Sequence, residues 1–271
     1  KIHLWQELAE ALLKKYCERY YLFRKKEWEL PHLEYRYLDA NDPNLPQVNE
    51  DFPEGYHRIL VEESQTEIVA KLKELKAQIE AGTLKSWQFA GLQAIPIGRH
   101  LYEPLLHLAG STVEISPVPL NQGERRFVED LKDYCDSKPV LLANKELYLL
   151  RNLSKGRGVG FFEAGNFHPD FIVWLIADGQ EYISFVDPKG IRNLGAQDPK
   201  IQFHQTIKEI EDRLGDSTVT LNSFVISNTP AHEMRLLWGM GKAQMESWHI
   251  LFQKEDKHTY IETLLRMALA N

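Results

Sequence analysis

Apolar and polar positions alternate along the chain in a way that divides it into helices and strands. From Ile2 to about Trp28, Leu4, Leu8, Leu12, Tyr16 and Tyr20 recur at helical spacing with no Pro or Gly between them, which predicts one long helix. Its aromatics, Trp5, Tyr16, Tyr20, Tyr21, Phe23 and Trp28, fit core packing better than a docking face. Leu33–Leu38 alternates as a strand, residues 39–55 form an Asp-, Asn- and Pro-rich loop, and Tyr56–Val61 reads as a second strand. Ser64 to about Ala81 is a charged amphipathic helix with Ile68, Leu72, Leu75 and Ile79 inward, closed by Gly82-Thr83. Trp87 to Leu106 has no clear period, and the Arg99-His100 pair within it fits a structural role better than a catalytic one. Pro117 and Pro119 then punctuate the chain and predict a boundary between a mostly helical connector, 1–118, and a second domain, 119–271.

The second part is more regular. Asn121 to Cys135 predicts a helix with Asn121 as N-cap and Glu124 at the third helical position, the pattern of a capping box. Glu146–Leu153 reads as a strand and Ser154–Gly160 as a glycine-rich loop. Two β-rich runs follow, Phe171–Ile176 and Tyr182–Val186, separated by Asp178-Gly179. Asp-Gly between apolar runs is a hairpin signal, because a type I′ turn needs φ > 0 at both central residues. The first run is apolar on both faces, with Ile172, Trp174 and Ile176 on one and Phe171, Val173 and Leu175 on the other. A strand of that kind is covered on both sides, so the prediction is a central sheet flanked by helices. Lys200–Leu214, ended by Gly215, is an amphipathic helix, and Val219–Ile226 a strand that a βαβ crossover returns to the hairpin sheet. Thr229-Pro230 starts a helix with Pro230 at its first position, His249–Gln253 is a late strand, and Thr259–Ala270 a terminal helix.

Composition excludes more than it identifies. The chain has 271 residues, 43% hydrophobic and 26% charged, an ordinary globular balance. It lacks a run of eighteen apolar residues and a signal-peptide pattern, so no membrane span is expected. Cys17 and Cys135 build neither a disulfide framework nor a zinc site, which points to a reducing, cytoplasmic setting. His232, His249 and His258 lack zincin spacing and read as structural. A net charge of −7 argues against a surface coated with nucleic-acid contacts but allows a local basic groove. The chain begins at Lys1 in helical pattern, as a piece of a longer protein would.

The candidate chemistry lies in the hairpin. A two-residue loop at Asp178-Gly179 sets a register in which Asp170 stands directly opposite Asp187. Opposed residues have Cβ atoms about 4.5–5.5 Å apart. Two carboxylates at that distance repel unless a cation lies between them. Lys189, two residues beyond Asp187, shares that face, and the carbonyl of Pro188 is a further oxygen for a metal. Hard Mg²⁺ prefers carboxylate oxygens and keeps waters that it shares with substrate phosphates, with Mn²⁺ able to substitute. Arg151, Lys155 and Arg157 lie close together without an acid in or beside the glycine-rich loop and suit phosphate contacts. Glu163 is a further possible ligand, and Gln205 and Lys208 are helix residues that could reach the site although their spacing fits a surface position better.

Together, LNQGERRFVEDL, RNLSKGRGVGFFEAGNFHPDF and FVDPKGI, with YYLFRKKEW and GRHLYEPLL upstream, resemble the PD-(D/E)XK nuclease superfamily. More narrowly, they resemble the C-terminal endonuclease-like region of type III restriction-like (Res subunit) DEAD/DEAH-box helicases. The resemblance implies a restriction-endonuclease-like α/β core, a central mixed sheet flanked by helices. It makes Asp170 and Asp187 metal ligands and Lys189 the catalytic lysine, and it raises Glu124 from a cap to the helix acid of the site. It implies Mg²⁺-dependent hydrolysis of DNA in a restriction or antiphage-defence setting, with Arg151, Lys155, Arg157 and Gln205 on the DNA. The chain itself has no Walker A motif, since Gly241-Lys242 is followed by Ala243, so a helicase motor would lie elsewhere in the polypeptide or on a partner chain. The alternative is a DNA-docking or scaffold module that does not cut. No feature separates DNA from RNA, because no reader of the 2′-hydroxyl is visible.

Overall fold

A computed structural model describes residues 2–29, 57–100, 103–110, 113–153, 158–161, 164–165, 167–257 and 259–270. The strand expected at Leu33–Leu38 and the loop at 39–55 lie outside them. The chain divides into two compact units, Lys1–Asp39 and Ala40–Asn271.

In the first unit, helix α1 (Ile2–Glu29) runs unbroken, as its spacing predicts. Leu12, Tyr16, Tyr20, Phe23 and Trp28 are more than half exposed, so the expectation of core packing is not met for these side chains. Among the described residues of its unit, α1 is the one element.

The second unit opens with β1 (Arg58–Leu60) and α2 (Thr66–Glu80), whose Leu75 is buried as its period predicts. The stretch without a clear period contains β2 (Trp87–Phe89), β3 (Leu92–Ile95) and β4 (Leu105–Leu108), a three-stranded antiparallel sheet. Strands of three or four residues are too short to print a period, and the β2–β3 reversal at Ala90-Gly91, both with φ > 0, is marked in the sequence by one glycine. β5 (Glu114–Ser116) pairs antiparallel with β1.

Helix α3 (Gln122–Asp136), strands β6 (Glu146–Arg151), β7 (Phe171–Ala177) and β8 (Gln180–Lys189), helix α4 (Pro199–Leu214) and strand β9 (Val219–Ser227) follow. They lead to α5 (Ala231–Trp238), α6 (Lys242–Ser247), β10 (Ile250–Phe252) and α7 (Tyr260–Leu269). Pro230 caps α5 instead of opening its first turn, and a left-handed Gly239 separates α5 from α6. The five-stranded sheet has the order β10-β9-β8-β7-β6. β6, β7 and β8 are antiparallel neighbours, whereas β8–β9 and β9–β10 are parallel. Helix α4 makes the β8–β9 crossover, the arrangement read from strand, helix, strand.

Both faces of this mixed sheet are covered. Phe127 of α3 packs on Phe171 of β7, ring centroids 5.2 Å apart. On the other face, Phe203 of α4 meets Phe161 at 4.5 Å, and Phe161 meets Phe185 of β8 at 4.5 Å. Ile95, Ile97 and Leu105 join the same core, so residues on both sides of position 118 share one apolar interior. No described helix is long and apolar enough to cross a membrane.

Candidate active site at the mouth of the β7–β8 hairpin

The turn that orders the site has the predicted form. Asp178 and Gly179 have φ of 52° and 77°, and Ala177 pairs with Gln180. The register runs without a bulge to Phe171 opposite Val186. One residue beyond this last pair on each strand stand Asp170 and Asp187, close enough that each carboxyl feels the charge of the other. Asp187 is 4% exposed. The ammonium of Lys189, on the same face of β8, sits on Asp187 Oδ2, which accepts no hydrogen bond of ordinary geometry. Burial first, and the charge of Asp187 second, push the Asp170 carboxyl far above the usual carboxylate range. A proton held on Asp170 is one local solution to the repulsion, and a cation is the other.

Pro188 stands in β8 opposite Ile226 of β9, beyond the last β7 pair. On the β7 side its missing N–H therefore has no partner to lose.

Glu124 approaches from the start of α3 and is 7% exposed. The capping box is complete. Asn121 N and Nδ2 donate to Glu124 at 3.0 and 2.7 Å, while Asn121 Oδ1 accepts from Gly123 N and Glu124 N. Arg151 Nη2 donates to Glu124 Oε2 at 3.0 Å. Both carboxylate oxygens are thus engaged, and Glu124 acts on Asp170 through its charge.

The structure redistributes the residues assigned to DNA. Arg151 turns inward, its guanidinium donating to Glu124 and to the carbonyls of Val118 and Pro119. This departs from the surface role read from its charge, because the half-buried end of β6 offers acceptors that a bare sequence does not display. Gln205 lies on the exposed face of α4, where Phe203 and Ile207 are the inward residues. Lys155, Arg157 and Glu163 fall outside the described residues. His100, read as structural, is buried and accepts from Arg151 N at 2.6 Å.

Three residues escaped the sequence reading. Asn152, 9% exposed, donates through Nδ2 to Val159 O and Pro169 O at 2.7 and 2.8 Å and accepts from Val159 N at 2.8 Å. Its own N–H donates to Asp170 O at 2.8 Å. It therefore holds the backbone that presents Asp170. Phe167, buried three residues before Asp170, carries the Lys189 ammonium 5.2 Å from its ring centroid. The ammonium of Lys200, in the first turn of α4, lies 5.7 Å from the same centroid. An Asn directly after a strand and a Lys beside the helix start were the signals available, and neither is distinctive.

Among the described residues no three His, Cys, Asp or Glu side chains gather closely enough to hold a metal ion. Asp170 and Asp187 form a two-carboxylate donor set in which Asp187 Oδ2 now faces the Lys189 ammonium. That set fits Mg²⁺, which is commonly held by one or two carboxylates and completes its shell with water and phosphate oxygens.

Compared with protein-family models, curated proteins and solved structures, the chain finds no match.

Proposed function

We propose that this chain carries a Mg²⁺-dependent deoxyribonuclease site of the PD-(D/E)XK type, working beside a helicase motor in the same polypeptide or on a partner chain. The observation that carries the reading is the convergence of Asp170, Asp187 and Lys189: two neighbouring buried acids repel each other by charge, and an ammonium sits on one of them. A buried acid that repels its neighbour is poised to exchange its proton for a divalent cation. Mg²⁺, when bound there, supplies an acidic water and charge stabilisation at the leaving oxygen.

The chain's own residues do the rest. Asp170 and Asp187 hold the cation. Lys189, tethered by Asp187 and by the Phe167 ring, orients the attacking water and offsets the negative charge that develops on the phosphorus oxygens. Asn152 fixes the backbone of Asp170, and Glu124 with Arg151 closes the base of the site.

The test is incubation of the chain with linear and circular DNA in Mg²⁺, Mn²⁺ or EDTA. We expect cleavage that requires the cation, and a loss of at least 100-fold in Asp187→Ala and Lys189→Ala, with unchanged circular dichroism. Full cleavage by Asp187→Ala rejects the assignment. DNA binding that ignores both the cation and Lys189→Ala, with no cutting, selects the docking module instead. Parallel RNA substrates decide the sugar.

A further inference from the structure

Helix α4 brings a second ammonium to the mouth of the hairpin. Asp198 caps the helix, its Oδ1 accepting from Lys200 N at 2.9 Å, and Pro199 opens the first turn. A helical side chain leans toward the N-terminus of its helix. Lys200 therefore reaches back over Phe167, which is 1% exposed and held in place by a two-way backbone pairing with Phe161.

Lys189 and Lys200 share that ring as a common floor, 5.2 and 5.7 Å from its centroid. Their charges are treated differently. Lys189 is paired with Asp187, whereas among the described residues no carboxylate pairs with Lys200. Cation–π attraction draws each ammonium to the ring, and here two like charges are gathered on it. Such a pair calls for a further anion. Asp187 is paired with Lys189 and Glu124 with Arg151, so neither of these acids is the partner of Lys200.

We propose that Lys200 binds a phosphate of the nucleic-acid strand, one flanking the phosphate that is cut. The inference rests on the nuclease reading of the same site and assigns it a substrate contact that the sequence had given to Gln205. With both ammonium groups beside one ring, Lys189 serves the reacting phosphate and Lys200 the phosphate next to it. Lys200 is therefore a binding residue, with no part in proton movement.

The experiment measures binding of the full chain to a fluorescein-labelled DNA duplex and to the same labelled single strand, in EDTA, across a salt series. Lys200→Ala is expected to weaken binding at least threefold and to lower the magnitude of the slope of log K against log salt by about 0.9 on duplex or 0.7 on single strand. Lys200→Arg is expected to retain both values, and the remote Lys73→Ala to change neither. Thermal melts establish that each variant is folded.

Wild-type affinity and slope in a folded Lys200→Ala overturn the inference, as does absence of DNA binding by the wild type. The two readings fail separately. Cation-dependent cleavage lost in Asp187→Ala, beside an unaltered Lys200→Ala slope, leaves the nuclease standing and removes this contact. A reduced slope in a protein that never cuts leaves the phosphate contact standing and removes the nuclease.

Discussion

At the scale of single residues, Glu124 carries two jobs that mutation separates. It completes the cap of α3, and it is the acid that matches the guanidinium of Arg151, whose side chain is 15% exposed. Glu124→Ala removes a cap interaction worth about 1 kcal/mol and leaves a largely buried cation unmatched, for a total of about 2–4 kcal/mol in urea denaturation. Glu124→Gln keeps an oxygen for Asn121 N and is expected to cost less than half of that. If the residue serves only the fold, Glu124→Gln retains most of the cleavage. A 100-fold loss in a variant of near-native stability assigns it a direct part in the chemistry. Asn152 belongs to the same scale: one amide side chain ties Val159 and Pro169 together, beside the acid it positions.

At the scale of elements, the decisive piece is the β7–β8 hairpin. Its two-residue turn sets the pairing, and the pairing sets which acids meet. A slip of one residue would turn Asp187 and Lys189 to the opposite face of the sheet. Gly179 has φ of 77° with no atom near its missing Cβ, so the constraint there is conformational and not steric. Gly179→Ala is expected to destabilise by about 1–2 kcal/mol, read as a shift of the urea midpoint at constant slope. Asp178→Asn, which tolerates its φ of 52°, is expected to leave the midpoint unchanged. The turn and most pairs of this hairpin were legible because Asp-Gly and two apolar runs are local signals. β2, β3 and β4 were not, because their pairing partners and not their own residues make them strands.

At the scale of the whole molecule, stability depends on pH through a buried histidine as well as through the acids of the hairpin. His249 stacks on Phe224 with centroids 4.7 Å apart, lies 5.8 Å from His204, and shares its Nδ1 with Ser223 O at 3.0 Å. Burial is the main cause that pushes its imidazole down to about 4 from the ordinary 6.5. Between those values the unfolded chain binds a proton that the folded chain refuses. The contribution of His249 is therefore full above about pH 6.5 and falls as the solution is acidified toward pH 4, by up to about 3 kcal/mol. His249→Asn accommodates the φ of 58° and does not titrate. The loss of unfolding free energy between pH 7 and pH 4.5, measured by chemical denaturation, is expected to shrink in that variant.

The sequence by itself determined whatever depends on neighbours along the chain. That covers the long first helix, the capped start of α3, the two-residue turn, the βαβ step through α4, and the facing of Asp170 with Asp187, because helical period, caps and hairpin register are short-range rules. Tertiary structure alone decided what those rules leave free. It turned Arg151 inward to Glu124, left Gln205 on the solvent face of α4, brought Lys200 to the ring that Lys189 occupies, and made β10 a parallel edge strand. Each of these depends on how segments distant in sequence meet, settled by which buried groups require a partner and which surfaces the packing leaves open.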